Sequence, residues 1–107
     1  MTVRLMNAAV MPREGTYRMA RLTPDEFALM VRKRSPKSYI GYPECARILE
    51  KFCRVPIPLN RESTPVEDGD VLLIARLIFR VGNPAAKGLV RATLDDYEFF
   101  VAEYSAT

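Results

Sequence analysis

The stretch from Val71 to Ile78 lies in the longest apolar run in the chain, and only Arg76 interrupts it. Extended to Val81, it is the strongest strand candidate, with apolar residues on both faces near its start. A strand of that kind needs cover above and below, which predicts a place at the centre of a sheet. Its far half carries Arg76 and Arg80, which share one face because strand side chains alternate. A charge on a buried strand is costly unless it reaches solvent, a partner or a ligand. Glu98 and Glu103 are the available salt-bridge partners, and a bound anion is the alternative.

The other elements follow from their punctuation. Thr2 to Val10 reads as a short apolar strand, Pro12-Arg13-Glu14-Gly15 as a turn, and Tyr17 to Leu22 as an alternating strand. Strand, turn and strand predict a hairpin. Thr23-Pro24-Asp25-Glu26 is a helix start with a capping box, and Ser35-Pro36 stops that helix near Arg34. The basic run Arg32-Lys33-Arg34 complements the helix dipole, with a phosphate contact as the alternative. Ser38 to Ile40 is a short extended piece. A second helix begins at Pro43, carries the stripe Cys45, Ile48, Leu49, Phe52 and Cys53, and ends before Pro56. Two prolines make Val55 to Leu59 an edge or an extended connector. Asn60 to Thr64 is polar loop, Glu67-Asp68-Gly69-Asp70 an acidic turn, and Tyr97 to Tyr104 the last strand. This order predicts one α+β domain over residues 1–107, a single mixed sheet flanked by helices.

Composition removes several kinds of chemistry. The chain has no His, so no His-based triad, His general acid or His-containing zinc site exists on it. Cys45 and Cys53 are spaced like no metal motif and, on one helix, stand too far apart for a disulfide. They read as buried reduced thiols of a cytoplasmic protein. The acidic turn and Asp95-Asp96 lack EF-hand spacing and read as solvated turns rather than a metal site. No P-loop, Rossmann glycine pattern or nucleophile elbow occurs, so no cofactor and no metal are expected. No run approaches the roughly 20 apolar residues of a membrane helix, and the N-terminus lacks a signal-peptide core.

The formal net charge is +3, and 12 of the 16 basic residues are Arg. The guanidinium fork suits phosphates and base edges. Gly41-Tyr42-Pro43 stands at a helix entrance, where free N–H groups and the helix dipole favour an anion and Gly41 permits close backbone approach. Ordinary turn structure accounts for the same residues. Asn7 interrupts an apolar strand, and Asn60-Arg61 opens a loop. Candidate ligand-binding residues are therefore Asn7, Gly41, Tyr42, Arg61, Arg76 and Arg80.

Four segments occur in a familiar order. They are Asn7-Ala8-Ala9-Val10, Ser38-Tyr39-Ile40-Gly41-Tyr42 before Pro43-Glu44-Cys45-Ala46, Pro58-Leu59-Asn60-Arg61-Glu62, and Glu67-Asp68-Gly69-Asp70 before a long strand. In that order and spacing the chain resembles the viral type III anti-CRISPR ring nucleases, small proteins of archaeal viruses, phages and prophages. The resemblance implies a homodimer with a mixed sheet flanked by helices. It implies a pocket across the two-fold axis for cyclic tetra-adenylate, which the family cuts without metal. The ribose 2′-hydroxyl attacks the neighbouring phosphate, and a His protonates the leaving oxygen. Asn7 and Arg61 match ligand-holding positions, and Arg80 matches a phosphate-binding Arg.

The chain departs from the family pattern at the proton-transfer groups. Tyr42 stands where the family has its His, and no carboxylate occurs at Gly82-Asn83, where some relatives have a Glu. A phenol with an ordinary pKa of about 10 is a poor general acid at neutral pH. Tyr42 suits stacking on an adenine or hydrogen bonding to a phosphate. The expected function is capture of a cyclic oligoadenylate or related immune-signalling nucleotide with little cleavage, and no catalytic residue is assigned. The alternatives are an active metal-independent ring nuclease and a non-enzymatic protein-interaction module. A homodimer in the cytoplasm, host cytoplasm for a viral protein, is expected, with neither membrane nor duplex nucleic acid as partner.

Overall fold

The structure is a computed structural model that describes residues 2–7, 13–78 and 93–106. Five strands form one mixed sheet: β1 (Val3–Met6), β2 (Thr16–Leu22), β3 (Lys37–Tyr39), β4 (Val71–Leu77) and β5 (Tyr97–Ser105). Their order across the sheet is β2-β5-β4-β1-β3. β1 pairs in parallel with β3 and β4, while β5 pairs antiparallel with β4 and β2. The helices are α1 (Pro24–Arg34) and α2 (Pro43–Cys53), and a short 3-10 turn, Leu94–Asp96, leads into β5. The fold is α+β, as expected.

The capping box of α1 forms as the residues require. Thr23 Oγ1 accepts the Glu26 N–H at 3.2 Å, and Glu26 Oε1 accepts the Thr23 N–H at 2.9 Å. Ser35 ends the helix in the left-handed conformation (φ 45°), just before Pro36. Both helices cover the same sheet face. Phe27, Ala28 and Val31 of α1 and Cys45, Ile48, Leu49 and Cys53 of α2 pack on Leu5, Leu73, Ala75, Tyr97 and Phe99. The Phe27 and Phe99 rings lie 4.6 Å apart between centroids, tilted by 36°, and tie α1 to β5. The opposite face holds a second cluster, Met6, Val66, Leu72, Ile74, Ala102 and Tyr104.

β4 lies inside the sheet, as its two-faced apolar pattern predicts. Its residues Val71 to Ala75 are all buried. The expected hairpin of the first two strands does not form. β1 and β2 stand two strands apart, because β1 has both edges occupied by β3 and β4. Leu5 and Met6 are buried on opposite faces, so β1 belongs in the interior. β2 is exposed over most of its length and takes an outer edge beside β5.

The acidic turn also departs from expectation. Glu67, Asp68 and Gly69 are exposed, but Asp70 is buried and forms an ion pair with buried Arg4 of β1. Asp70 Oδ2 also accepts the Glu67 N–H at 2.8 Å, and its Oδ1 accepts the Thr2 N–H at 3.1 Å. An Arg on an interior strand requires such a carboxylate, and the turn supplies one. At the same end of the sheet, Gly15 meets a steric demand. Its φ is +147°, and a Cβ there would fall 2.3 Å from the Tyr104 ring.

Two predictions follow from this packing. Burial pushes the Asp70 carboxyl up, but the Glu67 and Thr2 N–H groups and the Arg4 guanidinium outweigh it and hold it below the usual value. The pair therefore stabilises the fold fully above the unfolded carboxyl pKa of about 3.9, and that stability is lost as pH falls through the lower folded value. Asp70→Asn should cost about 3–5 kcal/mol at pH 7 by urea unfolding, with a flatter acid profile than wild type. Parallel acid profiles would show that the pair contributes nothing. Burial pushes the Cys45 and Cys53 thiols up to about 11. At pH 8 both should react with a disulfide reagent far more slowly in the native protein than in urea, and equal rates would contradict their burial.

Candidate functional site

β1 is the point at which the chain reverses its direction of growth across the sheet. β3 is added on one side of β1 and β4 on the other. In open sheets with parallel strands, ligands bind outside the carboxyl ends of the strands at such a point. Asn7 directly follows β1, and Gly41 and Tyr42 follow β3 and lead into α2.

Three segments distant in sequence meet here. Asn7 Oδ1 accepts the Gly41 N–H at 3.3 Å. Arg61 Nε–H donates to the Gly41 carbonyl at 3.1 Å. The chain around Leu59 runs parallel to Ile40 in an isolated bridge, and the Asn60 N–H donates to the Ile40 carbonyl at 2.9 Å. The structure thus joins Asn7, Gly41 and Arg61, all candidates from the sequence. Val55 to Leu59 is the extended connector its prolines predict, and it brings Asn60 and Arg61 to this end of the sheet.

The helix entrance is open. Tyr42 is the N-cap of α2 but makes no side-chain cap hydrogen bond, and it is 68% exposed. Pro43 has no N–H to offer in the first turn. The remaining first-turn N–H groups and the dipole give the site partial positive character. Glu44 in the same turn opposes it in part, and its carboxylate is 3.6 Å from Arg47. Arg61 is exposed and forms no ion pair among the described residues. With Nε–H committed to Gly41, its terminal nitrogens stay available to a planar anion.

Gly41 differs from Gly15. It has no positive φ, and a Cβ added there would meet Arg61 Cγ at 3.6 Å, an ordinary contact. Neither backbone nor packing demands glycine at this position.

Arg76 has a different environment. It projects from β4 onto the face opposite the helices and pairs with Glu98 of β5. Arg21 of the edge strand reaches the same carboxylate at 3.2 Å, and the Arg76 guanidinium lies 5.6 Å from the Phe100 ring centre. Of the two carboxylates expected as partners, Glu98 is the one that Arg76 reaches. An anion bound there would share Arg76 with Glu98. Arg80 and the Gly82-Asn83 step lie outside the described residues.

Sequence reasoning missed the part played by Asn60, whose only signal was its place beside Arg61 after a proline-rich connector. Its Nδ2–H donates to the Ser38 carbonyl at 3.1 Å, and its Oδ1 accepts the Glu62 N–H at 3.0 Å.

Comparisons with known proteins agree with this architecture. B116 of Sulfolobus turreted icosahedral virus (STIV) shares the fold, with a TM-score of 0.72 at 17% identity over 95% of this chain and 98% of that one. No curated protein matches the sequence. The family model described as STIV B116-like matches residues 3–101. That match spans both helices, the first four strands and part of β5, and the chain therefore belongs to the STIV B116-like family.

Proposed function

We propose that the protein captures a cyclic oligoadenylate, cyclic tetra-adenylate or a related immune second messenger, in a pocket shared across a two-fold dimer. It does so with little or no cleavage, and acts in the host cytoplasm as a sponge against type III CRISPR or a similar defence. The observation that carries this reading is the junction of Asn7, Gly41 and Arg61 at the carboxyl ends of β1 and β3, beside the uncapped start of α2. Of these three, Asn7 and Arg61 are ligand-holding positions that the resemblance to ring nucleases implies. A glycine that the fold itself does not need supports it, since a phosphate lying on the backbone does need one.

The expectation of little turnover rests on Tyr42. Exposed at the helix entrance, it offers a ring for a base to stack on, a contact worth about 1–3 kcal/mol. A phenol is in general a poorer general acid at neutral pH than an imidazolium, and general acid–base help is typically worth about 10²–10⁴-fold in rate. A two-fold axis would present Arg61 twice to a ring-shaped polyanion.

Radiolabelled cyclic tetra-adenylate should shift in a native gel with the purified protein and remain intact over many minutes. Rapid multiple turnover would replace the sponge with an active ring nuclease. The absence of a shift with cyclic oligoadenylates of any ring size would favour a protein-interaction module. Arg61→Ala should weaken binding at least tenfold, because charge-assisted hydrogen bonds are among the stronger ones. Gly41→Ala should keep wild-type thermal stability within about 1 kcal/mol and still weaken binding. Light scattering should report a dimer, and a monomer would remove the shared pocket.

A further inference from the structure

Arg61 is exposed, yet its side chain has a defined place, and the bonds around Asn60 explain why. An asparagine amide offers two N–H donors and one carbonyl acceptor. Asn60 uses both ends on neighbouring backbone: Nδ2–H on Ser38 within β3, and Oδ1 on the Glu62 N–H beyond Arg61. Its own N–H holds the Ile40 carbonyl. These three bonds fix the chain immediately before and after Arg61 to the end of β3. Between the two fixed points, the Arg61 side chain lies across Gly41 and donates Nε–H to its carbonyl.

We propose that Asn60 is a positioning residue whose side-chain amide presets the Arg61 guanidinium over Gly41, in the pose in which it meets a phosphate. Each end of that amide holds backbone, and the effect of Asn60 on the ligand runs through Arg61. The phosphate part of the proposal rests on the nucleotide-capture reading; the presetting of Arg61 does not. A long flexible side chain held in its bound pose loses less freedom on binding, so the affinity gain comes from preorganisation.

The first measurement needs no ligand. In nitrogen-15-labelled protein, the Arg61 Nε–H signal, assigned by its loss in Arg61→Lys, should exchange slowly with water. Asn60→Ala should speed that exchange about tenfold or more while the backbone amide spectrum stays folded. If Asn60→Ala does not fold, Asn60→Asp serves, since it keeps the acceptor for Glu62 and loses the donor to Ser38. Unchanged exchange in a folded variant overturns the proposal.

The second measurement is a double-mutant cycle with cyclic tetra-adenylate as the probe. Asn60→Ala should weaken binding about tenfold in the wild-type background and have no further effect in Arg61→Ala. Independent, additive losses overturn the proposal. If the wild type does not bind the probe at all, the nucleotide-capture reading fails, and the exchange result alone decides what Asn60 does to Arg61.

Discussion

The architecture depends on the placement of β1 between two parallel neighbours. Four residues, Val3–Met6, bond to β3 on one edge and β4 on the other, with Leu5 and Met6 facing opposite cores. Parallel pairing requires crossovers, and here the crossovers deliver both helices to one face. It also leaves the carboxyl ends of β1 and β3 side by side, next to the start of α2. The site is a consequence of that geometry: backbone groups beyond the last ladder bonds need partners, and Asn7, Asn60 and Arg61 supply them.

Three arginines show how the environment assigns a role to one side-chain type. Arg4 is enclosed in the sheet and held by Asp70, which removes its charge from the surface. Arg76 stands on the face opposite the helices, shares Glu98 with Arg21 and lies near the Phe100 ring. Arg61 touches a carbonyl rather than a carboxylate, so its charge is not cancelled by its protein partner. Only this third arrangement leaves a cation ready for an outside anion. The two glycines divide in the same way. Gly15 is required by the Tyr104 ring, whereas Gly41 meets no such demand from the protein itself.

Much was legible where the physics is short-range. The Thr23 capping box, the stop at Ser35-Pro36, the start of α2 at Pro43, the proline-rich connector and the central character of β4 each follow from residues a few positions apart. The expected hairpin failed because turn chemistry at Arg13 to Gly15 shows only that the chain bends, and not which strand it meets next. Asp70 looked like part of a solvated turn, because its partner Arg4 lies 66 residues away.

The candidate site divides along the same line. Residue chemistry named Asn7, Gly41 and Arg61 one at a time, as an interruption, a glycine and a loop cation. Their hydrogen bonds span 34 and 20 positions, distances over which local propensity carries no information. Element type, helix limits and the absence of imidazole chemistry are properties of neighbouring residues and of composition, and they can be read along the chain. Strand order, the pairing of each arginine and the junction at Gly41 arise from competition among many distant partners for burial and hydrogen bonds. That competition is resolved only when the whole sheet assembles.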